Sequence, residues 1–182
     1  MPYAQQIKRI LDSAHHDPFE VLGYHEFENN HSAIRAFFPN ASAIEVIFTE
    51  DNSQYKMDKI RDEGFFHVNL PFYKRTQYLF RITNFHGHSW YQCDPYWHYP
   101  FVTEFDMHLF SEGNHHKMYD FLGAHITESR GVRGVTYAVW APNAQRVSLV
   151  GNFNDWDGRR NMLRNRGTSG IWEIFMPDHC EG

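Results

Sequence analysis

A ten-residue segment near the carboxyl end of the sequence carries the side chains best suited to binding chemistry. It covers residues 151–160 and reads Gly-Asn-Phe-Asn-Asp-Trp-Asp-Gly-Arg-Arg. Two Asn, two Asp and the flanking Gly predict a tight loop between strands. An exposed Trp156 would offer a flat apolar face to a sugar ring, and the amides of Asn152 and Asn154 could hydrogen-bond the sugar hydroxyls. The alternative is that Trp156 folds back onto its own domain or packs against a neighbouring one.

Histidine is abundant, but its spacing does not predict a metal site. Of the 13 His residues, His15 and His16 are adjacent, as are His115 and His116, so the side chains of each pair diverge. The sequence has no HExxH segment and no Cys/His ligand spacing. No metal and no other cofactor is therefore predicted.

The composition excludes several classes of protein. The formal net charge is −5 with neutral His and there is no basic run, so nucleic acid is not a predicted partner. No apolar stretch approaches the roughly 18 residues of a membrane span, and residues 1–16 lack the apolar core of a signal peptide. Cys93 and Cys180 fit no disulfide framework or metal pattern, which favours two free thiols in a reducing cytoplasm.

The same sequence pattern occurs twice in the 182 residues. Its landmarks are an aromatic residue followed by Leu-Gly-x-His, then Pro-Asn-Ala, then Gly with two large apolar residues. They lie at 19–25, 39–41 and 64–66, and again at 119–125, 142–144 and 170–172, with offsets of 100, 103 and 106 residues. This period fits a small β-sandwich module rather than a solenoid unit. His25 and His125 hold the same place in both copies, which predicts a shared packing or hydrogen-bonding role.

Period-two alternation of apolar residues predicts that most segments are β-strands. Strands are predicted at 32–38, 44–49, 66–70, 78–84 and 89–93, and in the second copy at 135–140, 147–150 and 171–176. No sequence follows residue 177 for counterparts of the strands at 78–84 and 89–93. Helical spacing predicts an amphipathic helix over 4–14, ended by Asp17 and Pro18. The apolar content of 102–117 predicts a docked connector with a turn or two of helix that places Phe105, Leu109 and Phe110 on one face.

These elements together predict an all-β chain. It should contain two immunoglobulin-like β-sandwich modules in tandem, the second incomplete, with a short N-terminal helix. The predicted domains are the helix at 1–16, the first module at 17–101, the connector at 102–117 and the second module at 118–182.

Several motifs resemble one family in the order in which they occur. They lie at 17–25, 94–96, 109–113, 119–125, 139–144 and 151–160. Together they are similar to the N-terminal part of bacterial glycogen branching enzymes. The segment 147–156 also resembles the carbohydrate-binding modules of family 48 type that precede the catalytic barrel of amylase-type enzymes.

The resemblance implies a cytoplasmic enzyme of glycogen biosynthesis that cuts an α-1,4-glucan and rejoins the piece through an α-1,6 bond. In that family two carboxylates on a (β/α)8 barrel carry out retaining chemistry. Asp94, Glu104 and Asp106 lie in a Pro turn and the connector, so no catalytic residue is predicted and this chain alone is expected to be inactive. The implied partners are α-1,4-glucan or glycogen, bound weakly, and the missing barrel, with no nucleic acid and no membrane.

The second module departs from the family pattern where the sugar platform should be completed. Related modules pair the loop tryptophan with a lysine and a second aromatic residue on later strands. Only Trp156, supported by Asn152 and Asn154, is therefore predicted to contact carbohydrate. The first module has residues 48–52 in place of the loop, without Trp, which favours a spacer or docking role. Competing hypotheses are a free-standing glycan-binding adaptor and a non-functional truncated product, and the missing strands disfavour the adaptor.

Overall fold

Strands form most of the regular structure in the computed structural model. It describes residues 3–113, 116–177 and 179, and its strands form three antiparallel sheets. The chain divides into two compact units. The first contains the N-terminal helix and Phe19–Trp97, and the second contains Asp12–Pro18 and the chain from His98 onward. The predicted all-β fold with a short N-terminal helix is confirmed.

The N-terminal helix is shorter than the predicted span of 4–14. Helix α1 (Tyr3–Leu11) is amphipathic and buries Ile7 and Ile10. Two residues after its end, Ser13 has a φ of +57°. A left-handed residue cannot continue a right-handed helix, so α1 ends before the predicted stop at Asp17.

The first unit is a sandwich of two four-stranded sheets. Its strands are β1 (Gly23–Phe27), β2 (His31–Phe37), β3 (Ala41–Phe48), β4 (Gln54–Lys56), β5 (Asp58–Arg61), β6 (Phe65–Leu70), β7 (Tyr78–Asn84) and β8 (Ser89–Cys93). One sheet has the order β1-β2-β6-β5 and the other the order β4-β3-β7-β8. The sequence did not predict β1, β4 and β5, because these short strands carry several charged and polar residues that weaken the alternation.

Alternate side chains of these strands form the core between the two sheets. Val46 of β3 pairs with Phe80 of β7, and Ile34 of β2 pairs with Val68 of β6. All four belong to one buried cluster that also contains Phe48. Burying each such side chain contributes about 1.5–3 kcal/mol, so two complete sheets give this unit a closed core.

The second unit contains a helix and a single four-stranded sheet among its described residues. These elements are α2 (Glu104–Ser111), β9 (Gly123–Ser129), β10 (Val132–Trp140), β11 (Arg164–Asn165) and β12 (Ile171–Pro177). The sheet order is β11-β12-β10-β9. Strand β12 is buried along its whole length, whereas Ile126 of β9 and Val139 of β10 are exposed.

The strand predicted at 147–150 is not formed. This segment makes only an isolated bridge between Ser148 and Met162, with hydrogen bonds from Leu149 N to Asn161 O and from Leu163 N to Val147 O. Its counterpart β3 pairs with β4 on one side and β7 on the other. Within the described residues the segment 147–150 has a backbone partner on one side alone, and one-sided pairing leaves it irregular.

The connector is docked, as predicted, but through a different face of its helix. Thr103 caps α2 by accepting a hydrogen bond from Asp106 N at 3.1 Å. With this start, Met107 is buried with Val102 against the sheet, and Phe110 packs beside them. Residues three apart share a helix face, so Phe105, predicted on the docked face, is instead 67% exposed.

A buried carboxylate attaches the segment before α2 to the sheet. Glu173 of β12 is only 3% exposed, and its Oε2 accepts hydrogen bonds from Phe101 N and Val102 N, both at 2.8 Å. Its Oε1 accepts from Arg166, which also donates to Glu104 at 2.9 Å. Charge-assisted hydrogen bonds of this kind are among the strongest in proteins, so Glu173 fixes where the connector lies on this unit.

The two copies of the repeat share hydrogen bonds as well as sequence. The Nε2 of His25 lies 3.0 Å from Leu22 O, and the Nε2 of His125 lies 2.9 Å from Leu122 O. The predicted common role of the two histidines is confirmed as a local bond to the backbone three residues earlier.

A glycine closes the same turn in both copies. Phe38 N donates to Gly64 O at 2.9 Å, and Ala141 N donates to Gly170 O at 2.8 Å. The φ angles are +103° at Gly64 and +72° at Gly170, and a Cβ would lie 2.4 Å from Phe38 O at the first position and 2.7 Å from the Cβ of Pro142 at the second. Only glycine adopts this backbone without strain at such close approach.

Candidate functional site

The predicted loop at 151–160 is present and has an unusual backbone. A single 3₁₀ turn (Asn152–Asn154) opens it, and Trp156 N donates to Gly151 O at 3.0 Å. Asp155 and Trp156 follow with φ angles of +56° and +57°. A bulky residue in the left-handed region is strained, and such strain concentrates at functional sites.

Asn154 is the buried anchor of the loop. Its Oδ1 accepts from Gly151 N at 3.0 Å, and its Nδ2 donates to Leu149 O at 2.8 Å and to Asn161 Oδ1 at 2.9 Å. The residue is fully buried. Buried polar groups are stabilising only when they are hydrogen-bonded, so these bonds explain how the loop holds its shape.

Trp156 and Asn152 are brought together at the surface. The indole is 67% exposed, and its Nε1 donates to Asn152 Oδ1 at 3.0 Å. This bond restrains one edge of the ring while most of the side chain faces solvent. The exposure favours ligand contact over packing of the indole onto its own unit, which were the two alternatives from sequence.

The charged groups of the loop are largely paired with one another. Arg159 donates to Asp157 through Nε at 2.9 Å and through Nη2 at 2.7 Å, and this bond lowers the pKa of the Asp157 carboxyl. Arg160 lies 3.9 Å from Asp155. Paired charges around an exposed indole suit an uncharged ligand better than an ionic one.

Two further features of this region were not found by sequence reasoning. Phe153 is partly exposed, and its ring packs edge-on against His179 at 4.7 Å between centroids. The Nδ1 of His179 lies 3.2 Å from the hydroxyl of Tyr137. The Asn-Phe-Asn triplet was the available signal for Phe153, whereas Tyr137 lies far from the loop in sequence.

The corresponding turn of the first unit has a different character. Phe48 is buried, and Lys74 covers its ring at 4.6 Å while pairing with Asp51. The turn therefore presents a polar surface and no aromatic platform, in keeping with the predicted spacer or docking role.

Two searches of the described residues concern metals and membranes. Among residues 3–113, 116–177 and 179, no three His, Cys, Asp or Glu side chains are grouped to hold a metal ion. In the same part of the chain, neither helix has the length and apolarity to cross a membrane.

Two family profiles cover most of the sequence. Residues 3–96 match the profile described as alpha-1,4-glucan branching enzyme GlgB, N-terminal domain. Residues 121–182 match the profile described as carbohydrate-binding module 48, the isoamylase N-terminal domain. The boundary between the two matches falls in the segment that contains α2.

Individual relatives agree with these profiles. The chain is 45% identical over 177 residues to the 1,4-alpha-glucan branching enzyme GlgB of Thermosynechococcus vestitus, covering 95% of this chain and 23% of the relative. It is 45% identical over 178 residues to the enzyme of the same name from a Nostoc strain, and 40% identical over 184 residues to that of Cellvibrio japonicus. The chain spans about a quarter of the length of these curated relatives. Since one profile matches more than half of its residues, the chain belongs to the alpha-1,4-glucan branching enzyme GlgB N-terminal domain family.

Proposed function

We propose that this chain is the non-catalytic, glucan-binding N-terminal part of a 1,4-alpha-glucan branching enzyme that acts in glycogen biosynthesis. The whole enzyme would cut an α-1,4-glucan and rejoin the piece as an α-1,6 branch, using carboxylates on a barrel outside this chain. A cytoplasmic location, which the family resemblance implies, is part of the same proposal.

The exposed indole of Trp156 is the observation that carries the binding proposal. Asn152 orients the ring, Asn154 holds the loop beneath it, and the loop charges are paired. An oriented aromatic face beside amide groups suits the apolar side of a glucose residue. Asn152 is proposed as a direct hydrogen-bonding contact, and Asn154 as a residue that positions the loop.

The domain division predicted from sequence is retained as part of this proposal. Residues 17–101 would form a complete spacer or docking module, and 118–182 would form the glycan-binding module. The exposed side chains of Ile126 and Val139 lie on adjoining strands β9 and β10. We propose that further strands of the parent enzyme, followed by its catalytic barrel, cover this part of the second unit.

Titration with maltoheptaose tests the binding site. We expect a dissociation constant of millimolar order or weaker, because one stacked ring adds about 0.5–1.5 kcal/mol beyond area burial and 1 mM already requires about −4.1 kcal/mol. Trp156→Ala should weaken binding at this loop by about two- to tenfold, and Asn152→Ala should weaken it less. Isothermal titration calorimetry and NMR shifts of the Trp156 indole N–H provide the readouts.

The control for this experiment is Tyr91→Ala. Tyr91 lies on β8 of the first unit and is exposed to a similar degree as Trp156, so its loss should leave binding unchanged. Equal weakening by Tyr91→Ala and Trp156→Ala, or unchanged binding in both variants, would refute the assignment of Trp156.

A further inference from the structure

Helix α2 has two apolar stripes, and the sheet of the second unit covers only one. Met107 and Phe110 lie on the docked stripe. Phe105 and Leu109 are four residues apart and therefore share the other stripe. Phe105 is 67% exposed on this side. A short helix with an unburied aromatic stripe calls for something to lie against it.

The second stripe forms one wall of a cavity of about 460 Å³. Three aromatic rings line the cavity, from Phe101, Phe105 and Phe121, and its polar lining includes Asp106, Asp120 and Lys117. This volume lies within the range of about 300–1,000 Å³ that encloses small-molecule ligands. The cavity is separate from the Trp156 loop, because no residue of 151–160 lines it.

The lining determines which class of ligand fits. Two carboxylates against one ammonium give an excess of negative charge, which disfavours phosphates and other anions. Three aromatic faces would be poorly used by a small cation that prefers oxygen ligands. Neutral polyhydroxylated molecules use both kinds of group, since their C–H faces stack on rings and their hydroxyls donate to carboxylates.

The geometry points to a second carbohydrate subsite in this cavity, with Phe105 as its stacking platform and Asp120 and Lys117 as hydrogen-bonding groups. The choice of an α-1,4-glucan as its ligand rests on the proposed function. Two subsites on one unit would let a single glucan chain, or two neighbouring chains, bind with a higher effective concentration than either subsite provides alone.

An NMR titration of the whole ¹⁵N-labelled chain with maltoheptaose tests this subsite. The amides of Phe105, Lys117 and Asp120 should shift together and saturate with one dissociation constant. The Trp156 indole N–H reports the other site in the same spectra. Phe105→Ala should raise the dissociation constant at the cavity amides about three- to tenfold while the indole titration stays unchanged.

The matched control is Phe85→Ala in the first unit. Phe85 is the same residue type and is 66% exposed, against 67% for Phe105, so its loss should leave both titrations intact. Trp156→Ala should likewise leave the cavity shifts in place.

Three outcomes would overturn the subsite. The Trp156 indole could shift while the cavity amides do not, which would leave the proposed function standing without the second site. Inorganic phosphate could move the cavity amides more than maltoheptaose does. The same amides could shift with protein concentration in sugar-free samples, which would identify the cavity as a contact between copies of the chain.

Discussion

At the residue scale, the Trp156 loop shows how a strained conformation is held in place. Each left-handed residue other than glycine costs about 1–2 kcal/mol, and Asp155 and Trp156 adopt this conformation in succession. The hydrogen bonds of the buried Asn154 hold the chain on either side of them. The sequence could identify the loop and Trp156 from residue types. It could not show that Asn154 points inward, because that direction depends on backbone angles that composition does not determine.

A second residue-scale feature is the buried carboxyl of Asp94. It accepts hydrogen bonds from the Tyr78 hydroxyl at 2.6 Å and from Tyr96 N at 2.9 Å. Burial nevertheless raises the pKa of Asp94 from 3.8 to about 6. Between these two values the folded state retains a proton that the unfolded state has lost, so unfolding becomes easier as the pH rises.

We therefore predict that Asp94→Asn removes a pH-dependent loss of stability from the first unit. In the unmodified chain this loss should reach about 3 kcal/mol between pH 4 and pH 6. Burial lowers the pKa values of His25 and His67 and so acts in the opposite direction, which is why the variant must be compared with the parent at each pH. Urea unfolding followed by near-UV circular dichroism at pH 4, 5, 6 and 7 gives the comparison.

Asp51→Asn is the control for this pH dependence. A hydrogen bond from Lys74 holds the pKa of the exposed Asp51 carboxyl below its usual value of 3.8, so its contribution is lost only in more acidic solution. A parallel pH profile for Asp94→Asn and the unmodified chain would show that Asp94 does not titrate as its burial implies.

At the scale of elements, Glu173 decides how the connector is attached. Glu173→Gln removes the charge that binds Arg166 and two backbone N–H groups. We expect it to destabilise the second unit by about 1–3 kcal/mol, since it weakens the acceptor for buried donors. Hydrogen exchange of the α2 amides should accelerate in this variant, and thermal unfolding should report the loss of stability.

Glu104→Gln offers a matched comparison, because Glu104 bonds to the same arginine. Its side chain is 88% exposed, against 3% for Glu173, and exposed ion pairs contribute only about 0–1 kcal/mol. Equal effects of the two substitutions would mean that burial of Glu173 adds nothing to the attachment.

The elements also show which sequence signals were reliable. Alternation found β2, β3, β6, β7, β10 and β12, because one or both faces of each lie in a core and the burial selects apolar residues. It missed β5 (Asp58–Arg61), whose charged residues are stabilised by pairing with β6 rather than by burial. The helical pattern located α2 but chose the wrong docked face, because Phe105 and Met107 are both apolar and only the cap at Thr103 sets the rotation.

At the scale of the whole molecule, the two units differ in how completely their cores are closed. The first has two sheets around one cluster. The second has one sheet among its described residues and exposes Ile126 and Val139. A single sheet without full cover is less stable than a closed sandwich, so the units should open with different free energies.

We predict that amides of β2, β3, β6 and β7 are protected from hydrogen exchange far longer than those of β9 and β10. Residues 17–101, expressed alone, should fold, whereas 119–182 should be partly open or should aggregate. Native-state hydrogen exchange on the whole chain is the direct measurement. Equally strong protection in both units would contradict the predicted difference in core closure.

The shared turns of the two copies bear on how such a chain emerges from the ribosome. Tandem modules with common geometry risk exchanging strands during synthesis, which is a characteristic misfolding route of repeat proteins. Here the exchangeable strands have diverged, since β2 buries Ser32 through Phe37 whereas β10 leaves Val139 and Trp140 exposed. A swapped strand would therefore place mismatched side chains in both cores. The Gly64 and Gly170 turns preserve a common local shape, while the differing strands beside them keep the nascent copies apart.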